Sequence, residues 1–123
     1  MSPLALAFLG DAVFGLLVRE RLLTDANRPA GKLHTESVKF VSAEAQYGAI
    51  SNIMDMLSQD ELAAFKRGRN AHTGRKPKHS SEAAYHYATG LETLFGYLYL
   101  EGKSERMREL FDNIYSFITE SEK

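Results

Sequence analysis

The chain has 123 residues, of which 15 are Lys or Arg and 16 are Asp or Glu, so its net charge is −1. This length is enough for one hydrophobic core and too short for two, which predicts a single domain over residues 1–123. The sequence contains no Cys, which excludes disulfides, thiolate zinc sites and thiol nucleophiles and favours a reducing, cytoplasmic setting.

Helical signals dominate the first third of the chain. A helix is predicted over residues 2–23, with Pro3 in its first turn. Residues 24–31 contain Asn, Pro and Gly and are predicted to form a loop. A short helix is predicted over residues 32–39, and residues 39–42 are the only plausible strand, which is too brief to anchor a sheet.

Capping residues mark the later helices, because a Ser side chain accepts hydrogen bonds from the first N–H groups of a helix. Ser42, Ser58, and Ser80 or Ser81 are predicted to cap such helices, the first of which is predicted to run to about residue 57, and the last helix is predicted to start at Ser104. Glu61 follows Ser58 by three residues and completes a capping box. Residues 70–79 lack apolar periodicity and are predicted to form an exposed, mobile loop. The sequence therefore predicts an all-α fold.

The apolar run at residues 4–18 is neither a signal peptide nor a membrane span. No Lys or Arg precedes it, Asp11 interrupts it, and charged residues 19–21 end it well short of the ~20 residues that a span requires. A helix that is apolar on nearly every face is expected to be buried, against its own domain and against a second subunit.

Two carboxylates stand alone in the most apolar stretches, Asp11 in residues 4–18 and Glu92 in residues 83–100. Neither stretch contains Lys or Arg, so a local helical salt bridge is unavailable to either carboxylate. One interpretation is that each caps a loop or pairs with a distant Arg in the core. The other is that the two helices cross and the carboxylates converge on a divalent cation such as Mg²⁺, which prefers oxygen ligands.

The charge is distributed unevenly along the chain. Residues 62–81 contain six Lys and Arg residues and no Asp or Glu, although the chain as a whole is slightly acidic. Such a basic segment predicts a polyanionic partner. A solvated loop without a partner is the alternative.

Both apolar stretches resemble motifs of a known family. Residues 6–13 read Leu-Ala-Phe-Leu-Gly-Asp-Ala-Val and resemble the signature of the ribonuclease III family, whose Phe-Leu-Gly-Asp-Ala core sits on a buried helix. Residues 89–100 resemble the second acidic motif of the family, and residues 31–42 are similar to its connecting segment. The resemblance covers essentially the whole chain.

Within the family, the chain is most similar to the short Mini-III subgroup, which lacks a separate double-stranded RNA-binding domain. Residues 66–71 are similar to a basic motif of that subgroup, and the length of the chain leaves no room for a second domain. The larger enzymes carry two further carboxylates, at the positions of Ala7 and Thr89 here. Both absences resemble the Mini-III pattern.

The resemblance implies a metal-dependent endoribonuclease, with Asp11 and Glu92 as catalytic residues and metal ligands. The implied cofactor is Mg²⁺, for which Mn²⁺ can substitute, and the implied products carry 5′-phosphate and 3′-hydroxyl ends. With only two carboxylates per subunit, water and substrate phosphate are expected to complete the metal coordination, together with a hydroxyl contact from Thr89.

The implied substrate is double-stranded or structured RNA, in particular the large-subunit ribosomal RNA precursor, and a ribosomal protein that presents it is a further expected partner. A-form RNA is recognised mainly through phosphates, shape and 2′-hydroxyls, so the basic segment is expected to bind it. The expected RNA-binding residues are Lys66, Arg67, Arg69, Asn70, His72, Arg75, Lys76 and Lys78. The family buries its signature helix between subunits, which implies a homodimer with Phe8 at the interface.

Two other functions compete with this interpretation. A non-catalytic RNA-binding or ribosome-assembly module is favoured by Ala7 and Thr89, which replace family carboxylates. Retention of Asp11 and Glu92 argues against it, because a pure binding protein could replace them with apolar residues and gain stability. A helical metal-dependent phosphohydrolase for nucleotides is less consistent with the sequence, which lacks the His-Asp clusters of such enzymes.

Overall fold

The computed structural model of the chain describes residues 1–25, 29–71 and 81–121. In this part of the chain six α-helices and one 3₁₀ turn are formed, and no strand occurs, which confirms the all-α class. The helices are α1 (Pro3–Asp25), α2 (Ala30–Val41), α3 (Ala43–Ile53), α4 (Gln59–Arg69), α5 (Glu82–Leu100) and α6 (Ser104–Ser121), and the 3₁₀ turn (Met54–Met56) follows α3.

Side-chain caps begin four of these helices. At the start of α1 the Ser2 hydroxyl oxygen accepts from the Ala5 N–H, and the other three caps are those that the sequence predicts. The hydroxyl oxygens of Ser42, Ser58 and Ser81 accept hydrogen bonds from the backbone N–H groups three residues later. The end of α5 is equally well defined, because Gly102 adopts a φ of 69°, which L side chains rarely take. Local sequence therefore fixes most helix ends.

Two predicted boundaries between α1 and α3 are wrong. The loop predicted over residues 24–31 is shorter, since α1 continues to Asp25 and α2 already begins at Ala30, directly after Pro29, whose φ of −60° suits a helix start. The possible strand at residues 39–42 is also wrong, because residues 39–41 belong to α2. Tertiary packing decides this segment: the ring of Phe40 stacks on Tyr115 of α6, with 4.7 Å between centroids.

The predicted helix from Ser42 to residue 57 is shorter in the structure. It ends at Ile53, and the chain tightens into the 3₁₀ turn before Leu57, whose N–H donates to the carbonyl oxygen of Met54. A 3₁₀ turn at a helix end satisfies carbonyl groups that would otherwise lack partners.

Helix α5 lies at the centre of the fold, where α1, α3, α4 and α6 all pack against it. The core is aromatic near its middle: Phe14 of α1 makes edge-to-face contacts with Phe95 of α5 and Phe111 of α6, each with 5.5 Å between ring centroids. Leu91, Leu94, Phe95 and Leu98 of α5 are fully buried. None of the helices in residues 1–25, 29–71 and 81–121 combines the length and apolar character that crossing a membrane requires.

Candidate active site at the crossing of two helices

Helices α1 and α5 cross in backbone-to-backbone contact at two glycines. A Cβ atom built on Gly10 would lie 1.6 Å from the carbonyl oxygen of Glu92, and one built on Gly96 would lie 2.1 Å from the carbonyl oxygen of Leu6. Both distances are far below van der Waals contact, so neither position tolerates a side chain in this packing. The absence of both Cβ atoms brings the two helices together at the level of Asp11 and Glu92.

Asp11 and Glu92 interact directly across this crossing. The pKa of the Glu92 carboxyl is raised to about 8, first by burial and then by the charge of Asp11 and a side-chain hydrogen bond with Asp11. The structure therefore brings together the two carboxylates that the sequence singles out, on two helices that are 81 residues apart at these positions.

The expectation that both carboxylates are buried is wrong for Asp11. Glu92 is half-buried at the crossing, but Asp11 is exposed to solvent. The reason is geometric: the adjacent Gly10 makes the contact with α5, and the next position along α1 is turned toward the surface. One carboxylate is thus anchored in the fold while the other is accessible from outside.

The donor set of this pair fits a hard divalent cation. Two carboxylates at hydrogen-bonding distance repel one another when both are ionised, and a cation removes that repulsion. In the described residues no group of three or more His, Cys, Asp or Glu side chains could hold a metal ion. The pair therefore suits Mg²⁺, which commonly binds through one or two carboxylates and keeps several waters.

A second close crossing places α4 beside the carboxylates. A Cβ atom on Gly68 would lie 2.2 Å from the Thr93 hydroxyl oxygen and 2.9 Å from the carbonyl oxygen of Thr89, and Gly90 is in similarly close contact with Phe65. Thr93 follows Glu92 directly, and Thr89 precedes Glu92 by one helical turn. The last turn of α4 thus packs within one turn of the carboxylate pair.

This last turn of α4 carries the described part of the predicted RNA-binding set. Lys66, Arg67 and Asn70 are exposed, while Arg69 is partly covered, with its guanidinium 5.9 Å from the centroid of the Phe65 ring and donating to the Asn70 side chain. Helix α4 ends at Arg69, as predicted, and the Asn70 N–H donates to the carbonyl oxygen of Lys66. The other predicted RNA-binding residues, His72, Arg75, Lys76 and Lys78, lie outside the described residues.

The two positions at which larger relatives carry carboxylates are both buried here. Ala7 and Thr89 are each 7% exposed. The Thr89 hydroxyl donates to the carbonyl oxygen of Tyr85 at 3.1 Å, so its proton is used within α5. A metal contact from Thr89 remains a prediction, and it would have to come from the oxygen lone pairs.

Phe8 is the most exposed side chain of an apolar stripe on α1. Its side chain is 83% exposed, which is extreme for a Phe, and Leu4, Leu16 and Leu23 on the same helix are 38%, 64% and 66% exposed. One face of α1 therefore enters the core and the other is open within one subunit, and burial of the open face against a second subunit stays a prediction.

Sequence reasoning missed residues that hold the site together. Thr93 is fully buried, and its hydroxyl lies 2.8 Å from the carbonyl oxygen of Thr89 and 3.1 Å from that of Pro3, so it ties the start of α1 to α5. The crossing glycines Gly68 and Gly90 were also overlooked. An isolated Gly inside a helical pattern usually has a packing reason, and this was the available signal.

Comparisons with known proteins agree with this geometry. The family model of the ribonuclease III domain matches residues 4–103. The chain is 45% identical over 112 residues to the Mini-ribonuclease 3 of Thermoanaerobacter sp. (strain X514), covering 91% of this chain and 79% of that protein. It is 40% identical over 118 residues to the Mini-ribonuclease 3 of Symbiobacterium thermophilum, covering 96% and 91%.

The fold is similar to a solved structure as well. A crystal structure of a Fusobacterium nucleatum protein superposes with a TM-score of 0.84 and 28% sequence identity, covering 94% of this chain and 93% of that one. The family model and the curated relatives both extend over most of the chain. The chain therefore belongs to the ribonuclease III family and is an endoribonuclease of that type.

Proposed function

We propose that this protein is a Mg²⁺-dependent endoribonuclease that hydrolyses phosphodiesters in double-stranded or structured RNA. The observation that carries the proposal is the meeting of Asp11 and Glu92 at the α1–α5 crossing, one helical turn from the basic end of α4. Metal-assisted hydrolysis of RNA requires carboxylates that bind the metal ion and basic side chains that bind the phosphates of the RNA. Here the carboxylates lie at the α1–α5 crossing, and the helix that carries the basic residues packs on α5 at Thr89 and Thr93.

Asp11 and Glu92 would hold the divalent ion, for which Mn²⁺ could substitute. When bound, such an ion lowers the pKa of its bound water and stabilises negative charge on the phosphate. The backbone of Glu92 contacts α1 at Gly10, so the position of Glu92 is fixed by the packing of the two helices. Asp11 is exposed and can meet a phosphate that approaches from solvent. We expect products with 5′-phosphate and 3′-hydroxyl ends.

The basic end of α4 would bind the RNA backbone. Lys66, Arg67 and Asn70 are exposed at the end of α4, and Arg69 is half-buried. His72, Arg75, Lys76 and Lys78 follow in the sequence and extend the charge. Contacts of this kind are to phosphates and 2′-hydroxyls, so sequence preference is expected to be modest. We propose that this domain itself binds RNA.

We further propose a homodimer in which α1 pairs antiparallel with its counterpart. Phe8 is too exposed for a monomer surface, and α1 and α2 form an apolar groove of about 270 Å³ near Leu23 and Leu33. An α-helix rises about 1.5 Å per residue, so along the axis of α1 Phe8 lies about 12 Å before Leu16. Leu23 lies about 10 Å after Leu16. Two α1 helices that cross at Leu16 would therefore bring each Phe8 to the groove of the other subunit.

A symmetric dimer would present two carboxylate pairs to one RNA duplex, so that each pair cuts one strand. The similarity to the Mini-III subgroup supports the large-subunit ribosomal RNA precursor as the substrate, in the cytoplasm, with a ribosomal protein that presents it.

A non-catalytic RNA-binding module is the competing function, and the buried Ala7 and Thr89 favour it. One experiment separates the two. Purified protein is incubated with double-stranded and single-stranded RNA of one sequence, with Mg²⁺ or with chelator, and the product ends are mapped. We expect cleavage of the duplex only, in Mg²⁺ only. Binding without cleavage under all conditions would establish the non-catalytic module.

The same assay with Asp11→Asn and Glu92→Gln tests the assignment of the site. Both changes preserve side-chain size and remove the charge that holds the cation, so both are expected to abolish cleavage while the helical circular dichroism signal remains. Turnover at the wild-type rate in either variant would contradict the proposed site.

A further inference from the structure

The contacts that hold α1 against α5 differ in how narrowly they fix the two helices. At Gly10 and Gly96 backbone meets backbone, and Phe14 packs on Phe95 with 5.5 Å between ring centroids. These are van der Waals contacts, and a gap of about 0.5 Å forfeits only about a quarter of the energy of such a contact. They bring the two carboxylates together, but packing of this kind defines the position of α1 on α5 only loosely.

A hydrogen bond joins the same two helices beside the carboxylates. The hydroxyl oxygen of Thr93 lies 3.1 Å from the carbonyl oxygen of Pro3, the first residue of α1, although the two residues are 90 positions apart. Thr93 follows Glu92 directly and is fully buried. A hydrogen bond weakens steeply when its geometry changes, so this contact defines the position of the α1 backbone more narrowly than packing does.

The surroundings of the Thr93 hydroxyl come from three helices. The hydroxyl oxygen also lies 2.8 Å from the carbonyl oxygen of Thr89, one turn earlier in α5, so its single proton is shared between the carbonyl groups of Thr89 and Pro3. Gly68 of α4 packs directly on it, because a Cβ atom at Gly68 would lie 2.2 Å from the hydroxyl oxygen. Helices α1, α4 and α5 therefore enclose one hydroxyl group next to Glu92.

We propose that Thr93 is a positioning residue for the metal site, which holds the start of α1 where Asp11 and Glu92 can bind one cation together. The inference rests on the proposed function, because it concerns the divalent ion that these carboxylates would bind. Thr93 is not a metal ligand in this proposal. It acts on Asp11 through the backbone of α1, in which Asp11 lies about 12 Å beyond Pro3 along the helix axis.

The coordination chemistry of Mg²⁺ explains why a small shift of α1 matters. Mg²⁺ requires near-octahedral geometry, with oxygen ligands at about 2.0–2.1 Å. The groups of a binding site have to lie within about 0.5 Å of their productive positions. Because Asp11 and Glu92 are on different helices, any sliding or turning of α1 on α5 changes the separation of the two carboxylates. A bond that fixes α1 on α5 therefore raises the affinity for the metal.

Removal of the hydroxyl is expected to move α1 by a distance of this size. In Thr93→Val a methyl group takes the place of the hydroxyl, and the shape of the side chain is otherwise kept. A C–H···O contact has about 3.3–3.6 Å between carbon and oxygen, whereas the Thr93 hydroxyl lies 3.1 Å from the Pro3 carbonyl oxygen. The start of α1 would thus be displaced by about 0.2–0.5 Å, and the directional contact would be lost.

The experiment compares three variants of the full chain. Thr93→Val removes the hydroxyl, and Thr93→Ser keeps it. Thr119→Val is the matched control, because the Thr119 hydroxyl also donates to the carbonyl oxygen four residues earlier, that of Tyr115 at 2.9 Å, but stays within α6. Calorimetry measures the binding of Mn²⁺ without RNA, and a filter assay measures affinity for duplex RNA in chelator. Cleavage of saturating duplex is followed across a range of Mg²⁺ concentrations.

We expect Thr93→Val to raise the Kd for Mn²⁺ and the half-saturating Mg²⁺ concentration about tenfold, the lower end of the effect of removing groups that orient metal ligands. High Mg²⁺ should restore most of the cleavage rate. The Kd for duplex RNA in chelator should stay within about twofold, because no phosphate contact is removed. Thr93→Ser and Thr119→Val should bind Mn²⁺ like the wild-type protein. A merely structural role would lower the Tm of Thr93→Val without changing its Kd for Mn²⁺.

Three results would overturn the inference: an unchanged Kd for Mn²⁺ in Thr93→Val, a Thr93→Ser variant that binds Mn²⁺ as weakly as Thr93→Val, or equal weakening by Thr119→Val. If Thr93→Val does not fold, Thr93→Ala is measured in its place with the same expectation, because it also lacks the hydroxyl and adds no bulk. A wild-type protein that neither binds Mn²⁺ nor cleaves RNA would instead refute the proposed function. The two failures are therefore distinguishable.

Discussion

The carbonyl oxygen of Glu92 occupies the space in which a side chain at Gly10 would begin, because a Cβ there would lie 1.6 Å from that oxygen. The obstacle is the backbone of the central helix, which cannot rotate away as a side chain could. Close approach of α1 and α5 is therefore a direct requirement for the meeting of Asp11 and Glu92.

We expect Gly10→Ala to destabilise the fold by about 3 kcal/mol or more, because overpacking against a rigid backbone forces the two central helices apart. Gly31→Ala is the matched control. Nothing lies within 4 Å of a Cβ at Gly31, in the exposed first turn of α2, so this change is expected to be neutral or to stabilise by about 0.4–1 kcal/mol. Urea denaturation measures both, and equal stability of the two variants would contradict the crossing.

The cation should stabilise the protein through the carboxylate pair. A ligand that binds only the folded state raises the unfolding temperature with its concentration. We expect Mg²⁺ or Mn²⁺ to raise the Tm of the wild-type protein, and chelator to reverse the increase. Glu92→Gln should lose the response while its metal-free Tm equals or exceeds that of the wild type, because the repulsion from Asp11 is gone. A Tm increase of the same size in the variant would place the metal elsewhere.

The ion pair between the buried Glu61 and the half-buried Arg106 predicts a loss of stability in acid. Hydrogen bonds from the Arg106 guanidinium, at 2.8 and 2.9 Å, hold the pKa of Glu61 below its usual value of 4.5 even though burial raises it. A lowered folded pKa gives stability that is complete above the unfolded value and is lost as the pH falls through the folded one.

We therefore expect Glu61→Gln to lower the unfolding free energy at pH 7 by about 1–3 kcal/mol, the range for a hydrogen bond to a charged group. The difference from the wild type should shrink below about pH 4. Glu109→Gln is the control, since Glu109 also pairs with Arg106 but is 56% exposed, and its effect should be small at both pH values. A Glu61→Gln deficit that persists unchanged in acid would contradict the pKa direction.

The exposed Phe8 side chain makes the proposed homodimer testable. Phe8→Glu places a charge in the proposed interface, where it would be desolvated, so we expect sedimentation to show a monomer. Met56→Glu introduces the same charge at another exposed apolar position, 37% exposed and in the 3₁₀ turn, and should leave the dimer intact. A wild-type protein that sediments as a monomer at micromolar concentration would exclude the interface.

The sequence identified the carboxylates but not their environment. Asp11 and Glu92 are conspicuous because each interrupts a long apolar run. A helix that is apolar on nearly every face is expected to lie in the core, whichever way its individual residues point. Which face of α1 turns outward depends on where Gly10 and Gly96 let the helices touch, and that is a property of the packed pair. The error over Asp11 burial has this origin.

Some helix boundaries are set by local sequence and others by tertiary contacts. Ser42, Ser58 and Ser81 were predictable caps, because the cap is a local interaction between a side chain and the N–H groups that follow it. Residues 39–41 were ambiguous locally, and the stacking of Phe40 on Tyr115, 75 residues away, decides for helix. The hydrogen bond that the Ser81 N–H donates to the Glu44 carboxylate at 2.9 Å could not be anticipated either, since its two partners approach only after α3 has packed on α5.

The exposed basic residues at the end of α4 give the last prediction, which separates RNA binding from RNA chemistry. Lys66 and Arg67 lie within a turn of the crossing at Gly68 but project into solvent, so they can neutralise phosphates without touching the carboxylate pair. Each neutralised phosphate releases a counterion, which changes the slope of log Kd against log salt by about 0.9. We expect Lys66→Gln with Arg67→Gln to weaken duplex RNA binding and to reduce the slope by about two, with little change in single-turnover cleavage at saturating RNA.

Lys103→Gln with Arg108→Gln removes the same charge around the start of α6 and should leave the slope unchanged. If both double variants reduce the slope equally, the effect comes from net charge and not from contacts at this site; if saturating cleavage falls as well, the end of α4 also positions the scissile phosphate.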